Sequence, residues 1–157
     1  MRDKDRHKLI FSDACAIIEA YEMNLLNPLL NNYSIITVEK IIDECNKKIP
    51  IIKSGSSIRV VKVSELERVR IKLKLDGDLD DGELDLLAYI IEVKEDFLLC
   101  TADFAAMRAA VKFDYTDNLI SLEELAKGMG INKTFRSQYT AALLDRKKTE
   151  YRLGYLK

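Results

Sequence analysis

The chain has 157 residues and a net charge of −1, with 25 Lys and Arg against 26 Asp and Glu. This length predicts one domain with a single substantial core. Three cysteines without metal-ligand spacing exclude a disulfide framework or a zinc site, and we expect them to be small buried side chains in a reducing compartment. The sequence has neither a signal-peptide pattern nor an apolar run of membrane-spanning length, so we expect a soluble, cytoplasmic protein without a membrane partner.

Strand and helix patterns alternate along the chain. Predicted strands are apolar or β-branched runs at residues 8–12, 33–37, 58–63, 97–101 and 118–120. Predicted helices cover residues 14–26, 38–48, 64–75, 83–93, 102–111, 121–128 and 132–151. Loops are expected around Pro50 and at residues 54–57 and 76–82. Strands separated by helices favour a three-layer α/β/α sandwich around a mostly parallel sheet.

The last 27 residues differ in charge from the rest. They carry seven basic residues against two acidic ones, a net +5 that leaves −6 for the remainder. We therefore divide the chain into a domain at residues 1–130 and a basic amphipathic helical segment at 131–157, packed on the domain or extending from it. The cations and tyrosines of this segment are suited to nucleic-acid phosphates and bases. A solvated helix packed on the domain or on another subunit is an equally good interpretation.

Two predicted strands run into an aspartate at the start of a helix, Asp13 and Asp103. In α/β proteins, ligands bind at the carboxyl ends of parallel strands. Carboxylates at that edge are suited to a hard cation such as Mg²⁺ or Mn²⁺. Each aspartate could equally be only a helix N-cap.

Three further acids are candidates for the same site. Glu44 lies beside the buried face of its predicted helix, and Glu83 and Asp85 lie at the start of the most apolar helix. Their alternative roles are an exposed helical glutamate for Glu44, and a favourable interaction with the helix dipole for Glu83 and Asp85.

The order of these motifs resembles the PIN-domain nuclease family over residues 9–128. The matching motifs are the strand ending in Asp13, the helix with Glu44 six residues after Val38, Gly-Glu-Leu-Asp at 82–85, Leu-Leu-Cys-Thr-Ala-Asp at 98–103, and the short strand leading to Ser-Leu-Glu-Glu-Leu at 121–125. The motifs are short, and the resemblance depends on their ordered set.

The resemblance implies a metal-dependent endoribonuclease that hydrolyses single-stranded RNA. Asp13, Glu44, Glu83 and Asp103 would hold Mg²⁺ or Mn²⁺ and orient a water. Glu83 is the preferred third acid, with Asp85 kept as an alternative or additional ligand, and Thr101 would position water or substrate. One or two such ions activate the attacking water and neutralise phosphate charge.

The resemblance also leaves open a toxin role with an antitoxin protein as partner, and we expect a homodimer. Two other functions compete with the nuclease. One is a catalytically weak PIN-like module for RNA binding or protein assembly. The other is a phosphotransfer domain of the receiver or phosphatase type, which the single aspartate after the first strand and the position of Lys127 inside a helix disfavour.

Overall fold

A computed structural model describes residues 9–49, 58–75 and 79–155. The strands in this part of the chain are β1 (Leu9–Ser12), β2 (Ser34–Val38), β3 (Arg59–Val61), β4 (Phe97–Cys100) and β5 (Leu119–Ile120). The α-helices are α1 (Ala14–Glu22), α2 (Leu26–Asn32), α3 (Glu39–Asn46), α4 (Glu65–Lys72), α5 (Asp81–Ile91), α6 (Phe104–Lys112), α7 (Leu122–Gly128) and α8 (Ala141–Tyr155). The predicted loop at residues 50–57 and the acidic residues 76–78 lie outside the described residues.

The five strands form one sheet in the order β3-β2-β1-β4-β5, and every neighbouring pair is parallel. The central strand β1 pairs Ile10 with Ile35 of β2 on one side and with Leu98 of β4 on the other. The chain therefore moves outward from β1 in one direction, returns, and moves outward in the other. This reversal creates a topological switch point between β1 and β4.

Helices cover both faces of the sheet. The adjacent residues Ile10 and Phe11, whose side chains point to opposite faces, are 1% and 0% exposed. Phe11 packs against Tyr89 of α5, with ring centroids 5.8 Å apart. On the other face, Ile10 lines a small apolar space together with Ile17 of α1 and Leu125 of α7. The fold is a three-layer α/β/α sandwich, as the alternating pattern predicts.

The single helix predicted for residues 14–26 is wrong, because the chain breaks after Glu22 and starts α2 at Leu26. Asn24 adopts a left-handed backbone conformation with φ 58°. The amide of Leu25 donates to the Ala20 carbonyl at 2.8 Å, which closes the end of α1. Pro28 lies in the first turn of α2, where its missing N–H removes no helical hydrogen bond.

The helix predicted from residue 132 is also wrong at its start. A short 3₁₀ turn at Ser137–Tyr139 precedes α8, and Thr140 between them is extended. The Thr140 hydroxyl accepts a hydrogen bond from the Leu143 amide at 3.3 Å and so caps α8. The apolar residues of the segment are nevertheless buried as the pattern indicates: Phe135, Tyr139, Leu143 and Leu144.

The remaining boundaries agree with the sequence to within a few residues. Helix α7 begins with a capping box, since the Ser121 hydroxyl accepts from the Glu124 amide and the Glu124 carboxylate accepts from the Ser121 amide. Strand β3 is shorter than predicted. Within the described ranges, no helix combines the length and the apolar character needed to cross a bilayer.

Substitutions at Asn24 test whether the helix is broken after Glu22 or is continuous through residue 26. Because Asn24 has a positive φ, Asn24→Gly should leave the free energy of unfolding unchanged or raise it, whereas Asn24→Ala should lower it by about 1 kcal/mol. A continuous helix would reverse that order, because Ala is the better helix former. Urea denaturation of the two variants and the parent protein measures the difference.

Candidate active site

Asp13 and Asp103 lie at the switch point between β1 and β4. Asp13 directly follows β1, and its amide donates to the Cys100 carbonyl of β4 at 3.3 Å. Both aspartates are N-caps: each accepts at one carboxylate oxygen a 2.9 Å hydrogen bond from the amide three residues ahead. The capping role that the sequence leaves open is thus present at both positions, and it fixes both carboxylates at the edge of the sheet where ligands bind.

The Asp13 carboxyl group is buried, with the residue 3% exposed. Burial raises its pKa to about 6, and the negative charge of Asp103 raises it as well. Hydrogen bonds from the Thr101 hydroxyl and from the amides of Ala16 and Ala102 act in the opposite direction and lower the pKa. Desolvation therefore outweighs three hydrogen bonds to the charged form, which leaves Asp13 able to exchange a proton near neutral pH.

Thr101 connects the two aspartates. Its buried hydroxyl donates to the Asp13 carboxylate and accepts from the Asp103 amide at 3.1 Å. A hydroxyl can make both bonds at once because it is donor and acceptor. Thr101 therefore holds the strand-end acids in a fixed relation, a more specific role than the contact to water or substrate that the resemblance implies.

Glu83, in the first turn of α5, lies close to Asp103. The desolvation caused by burial is the largest of the effects that raise the pKa of Glu83 to about 8. The charges of Asp103 and Asp80, a hydrogen bond with the Asp103 carboxyl group and the charge of Asp13 add to this shift. Glu83 therefore holds a proton near neutral pH.

Asp80 is a further acidic residue near Glu83, and it is absent from the candidate residues of the sequence analysis. Its carboxylate accepts from the Glu83 amide at 2.9 Å as the N-cap of α5. An aspartate three residues before a glutamate at a helix start is a recognisable capping pattern, and that signal identifies Asp80.

Glu44 is connected to the other predicted acids less directly than they are to one another. Glu44 is exposed on α3. Its negative charge, together with those of Asp13 and Asp103, adds to the effect of burial in raising the pKa of the Cys15 thiol to about 11. Glu44 therefore lies close enough to Cys15 for its charge to act on the same thiol as the charges of Asp13 and Asp103. Cys45 and Cys100 are buried as expected, but Cys15 is exposed, because it lies on the outer side of the first turn of α1.

Asp85 faces away from the acidic group and is paired with Arg68 of α4. The Arg68 guanidinium donates to both carboxylate oxygens, at 2.6 and 3.1 Å. Asp85 is buried, so this two-bond ion pair supplies the partner that a buried carboxylate needs. The candidate third ligand is therefore Glu83, and Asp85 has a structural role. Nothing in the sequence around Arg68 indicates this partner.

The remaining members, Asp13, Glu83 and Asp103, are all oxygen donors of the kind that Mg²⁺ and Mn²⁺ prefer. Their placement is that of a hydrogen-bonded group rather than of a coordination sphere. Over residues 9–49, 58–75 and 79–155, no three His, Cys, Asp or Glu side chains are arranged so as to hold a metal ion. The donor chemistry fits a hard cation, and coordination by Glu83 would require loss of the proton that it holds near neutral pH.

No model of a known protein family matches the chain, and a search of curated proteins finds no match either.

The raised pKa of Glu83 gives a stability prediction. Its ordinary value is 4.5 and its folded value is about 8, so the folded state binds more protons between these pH values. The free energy of unfolding should therefore fall as pH rises through this interval, with a slope of at most about 1.4 kcal/mol per pH unit. Glu83→Gln should reduce this slope when both proteins are melted in EDTA from pH 5 to 8. Parallel curves would contradict the raised pKa of Glu83.

Proposed function

We propose that this protein is a metal-dependent endoribonuclease that hydrolyses phosphodiester bonds of single-stranded RNA. The observation that carries the proposal is the grouping of Asp13, Glu83 and Asp103 at the β1/β4 switch point. Three carboxyl groups in one place repel each other when ionised, and a divalent cation relieves that repulsion. Clustering with raised pKa values at a ligand-binding edge is typical of functional sites.

Mg²⁺ or Mn²⁺ bound at these acids would activate a water and neutralise charge on the phosphate. Asp13, Glu83 and Asp103 would be the ligands, and Glu44 would act only at the periphery. Thr101 fixes the orientation of Asp13 and Asp103 before any ligand binds, so little reorganisation is needed at that end of the site.

Glu83 is the residue whose protonation would change most between the metal-free form and the metal-bound form of the site. In the hydrogen-bonded form it holds a proton near neutral pH. Release of that proton leaves carboxylates only, which is the state that a hard cation requires. Metal affinity should consequently rise with pH up to the pKa of Glu83.

The basic C-terminal segment lies beside this site, which supports an RNA substrate. Helix α8 packs on α6, whose first residue, Phe104, directly follows Asp103. The Lys147 ammonium group lies 4.6 Å from the centre of the partly exposed Phe104 ring. The Phe104 ring, next to the acids, can stack on a base. Lys147 also donates to the Glu150 carboxylate at 3.1 Å, so a phosphate would have to compete with that pair.

Several cations of the segment already have partners within the molecule. Lys133 and Lys148 donate to the Met23 and Leu119 carbonyls, and Arg136 pairs with Glu19. The segment therefore also packs on the domain, and removing it would expose the buried residues it contributes to the core. Arg146 and Arg152 form longer ion pairs, 4.0 Å from Glu150 and 3.9 Å from Asp117, and their side chains are 66% and 58% exposed. These two arginines are therefore the best candidates for phosphate contacts.

The toxin role and the antitoxin partner stay predictions of the resemblance. If the acids bind no metal, the alternative function is that of a PIN-like module without catalytic activity.

If the three acids form the site, Asp13→Asn and Asp103→Asn should abolish Mn²⁺-dependent cleavage of a labelled single-stranded RNA. Asparagine keeps the N-cap at each position, so the fold should be retained. EDTA should stop cleavage by the parent protein.

Asp43→Asn is the matched control, since Asp43 is exposed on α3, and its cleavage should equal that of the parent protein. Mn²⁺ at a hundredfold excess over Kd should also raise the free energy of unfolding of the parent protein by about 2.7 kcal/mol, which is measured as a higher melting temperature. It should have little effect on the melting temperature of Asp103→Asn. Cleavage retained in both site variants, or a parent protein that does not respond to Mn²⁺, would refute the proposal.

The double variant Arg146→Gln/Arg152→Gln should weaken binding of single-stranded RNA and flatten its salt dependence. Loss of two phosphate contacts should reduce the slope of log K against log salt by about 1.4. Filter binding with Asp13→Asn as the common background avoids cleavage during the measurement. An unchanged slope would place the RNA-binding surface elsewhere on the molecule.

A further inference from the structure

Two aromatic residues in the described part of the chain are exposed, Phe104 at 42% and Tyr21 at 41%. Single exposed apolar residues are common on protein surfaces, so exposure alone indicates no function. The two residues differ in position. Phe104 is the first residue of α6 and directly follows Asp103, whereas Tyr21 lies near the end of α1, eight residues after Asp13. Of the two, Phe104 is therefore the one beside the acids at the edge of the sheet.

A cation lies over the Phe104 ring. The Lys147 ammonium group is 4.6 Å from the centre of this ring and 5.8 Å from the centre of the Tyr151 ring, one turn further along α8. The same ammonium group donates to the Glu150 carboxylate at 3.1 Å. These contacts hold the cation in place, and the attraction between cation and ring restricts the ring as well. The exposed part of the Phe104 ring is therefore the part that Lys147 does not cover.

An aromatic ring that is held on one side and open on the other is a surface on which a nucleobase stacks. Stacking uses no hydrogen-bond donor or acceptor of the protein, so the strength of stacking decides which base is preferred. Purines have a larger aromatic surface than pyrimidines and stack more strongly. A ring next to the strand-end acids is placed to hold the base of a nucleotide close to the phosphate that those acids approach.

We propose that Phe104 is the base-binding residue of the candidate active site and that it selects a purine in single-stranded RNA. This inference rests on the proposed function, because it takes RNA as the substrate of the acidic site. Phosphate contacts are assigned to the exposed arginines of α8, Arg146 and Arg152, and these carry no information about the base. Base selection and phosphate binding therefore depend on different side chains and can be measured separately.

Binding of oligo(A) and oligo(U) tests the proposal. The measured quantity is the purine preference, defined as the Kd for oligo(U) divided by the Kd for oligo(A). Oligomers of equal length carry the same phosphate charge, so electrostatic attraction cancels in this ratio. Stacking within free oligo(A) is the same for every protein variant, so a difference between variants arises from the protein. Fluorescence anisotropy of labelled oligomers measures both constants, with Asp13→Asn as the common background to avoid cleavage.

The background protein should bind oligo(A) more tightly than oligo(U). Phe104→Leu keeps an apolar side chain but removes the ring, so it should weaken oligo(A) binding by at least about fivefold and lower the purine preference. Phe104→Trp enlarges the ring and should raise the purine preference. Tyr21→Leu is the matched control, because it removes an equally exposed ring away from the acids, and it should change neither constant. Circular dichroism checks that each variant is folded.

Two results would overturn the proposal. One is a background protein that binds the two oligomers equally or binds neither. The other is a purine preference that the substitutions of Phe104 leave unchanged. RNA cleavage without a purine preference would overturn this inference alone and leave the nuclease function in place. Purine-selective binding that depends on Phe104, in a protein without Mn²⁺-dependent cleavage, would refute the nuclease function and support base selection by Phe104.

Discussion

The burial of one carboxyl group, that of Asp13, is the constraint on which the candidate site depends. Asp13 follows the central strand of the sheet, where desolvation opposes its charge. The chain compensates with hydrogen bonds from three positions on two elements, Ala16 of α1 and the loop residues Thr101 and Ala102 after β4. Those bonds tie the end of β1 to the end of β4. Because Thr101 also holds the Asp103 amide, the position of the second aspartate follows from the first.

Much of this arrangement is readable from the sequence because it depends on local patterns. An apolar run ending in aspartate before a helical pattern specifies a strand, an N-cap and a helix together. The alternation of such units specifies a parallel sheet, and the parallel sheet specifies which edge the strand-end acids share. These patterns alone assign Asp13 and Asp103 to the same edge of the sheet. That they meet at the switch point depends on the strand order.

The errors have a common physical origin, since each depends on a backbone conformation or a long-range pair that leaves no periodic pattern. The break after Glu22 depends on Asn24 adopting a positive φ, which apolar spacing does not reveal. The start of α8 depends on Thr140 being extended while Phe135 and Tyr139 still reach the core. Burial of apolar residues was predicted correctly in that segment because burial follows from composition, whereas helix limits follow from caps.

The choice between Glu83 and Asp85 shows how helix geometry and a distant residue act together. Residues two positions apart on a helix face different directions, so both carboxylates cannot serve one site. Arg68 of α4 takes Asp85, and Glu83 is left facing Asp103. The Arg68 guanidinium group also lies 3.6 Å from the Asp81 carboxylate at the start of α5. Arg68 therefore connects α4 to the first turn of α5, where Glu83 is found.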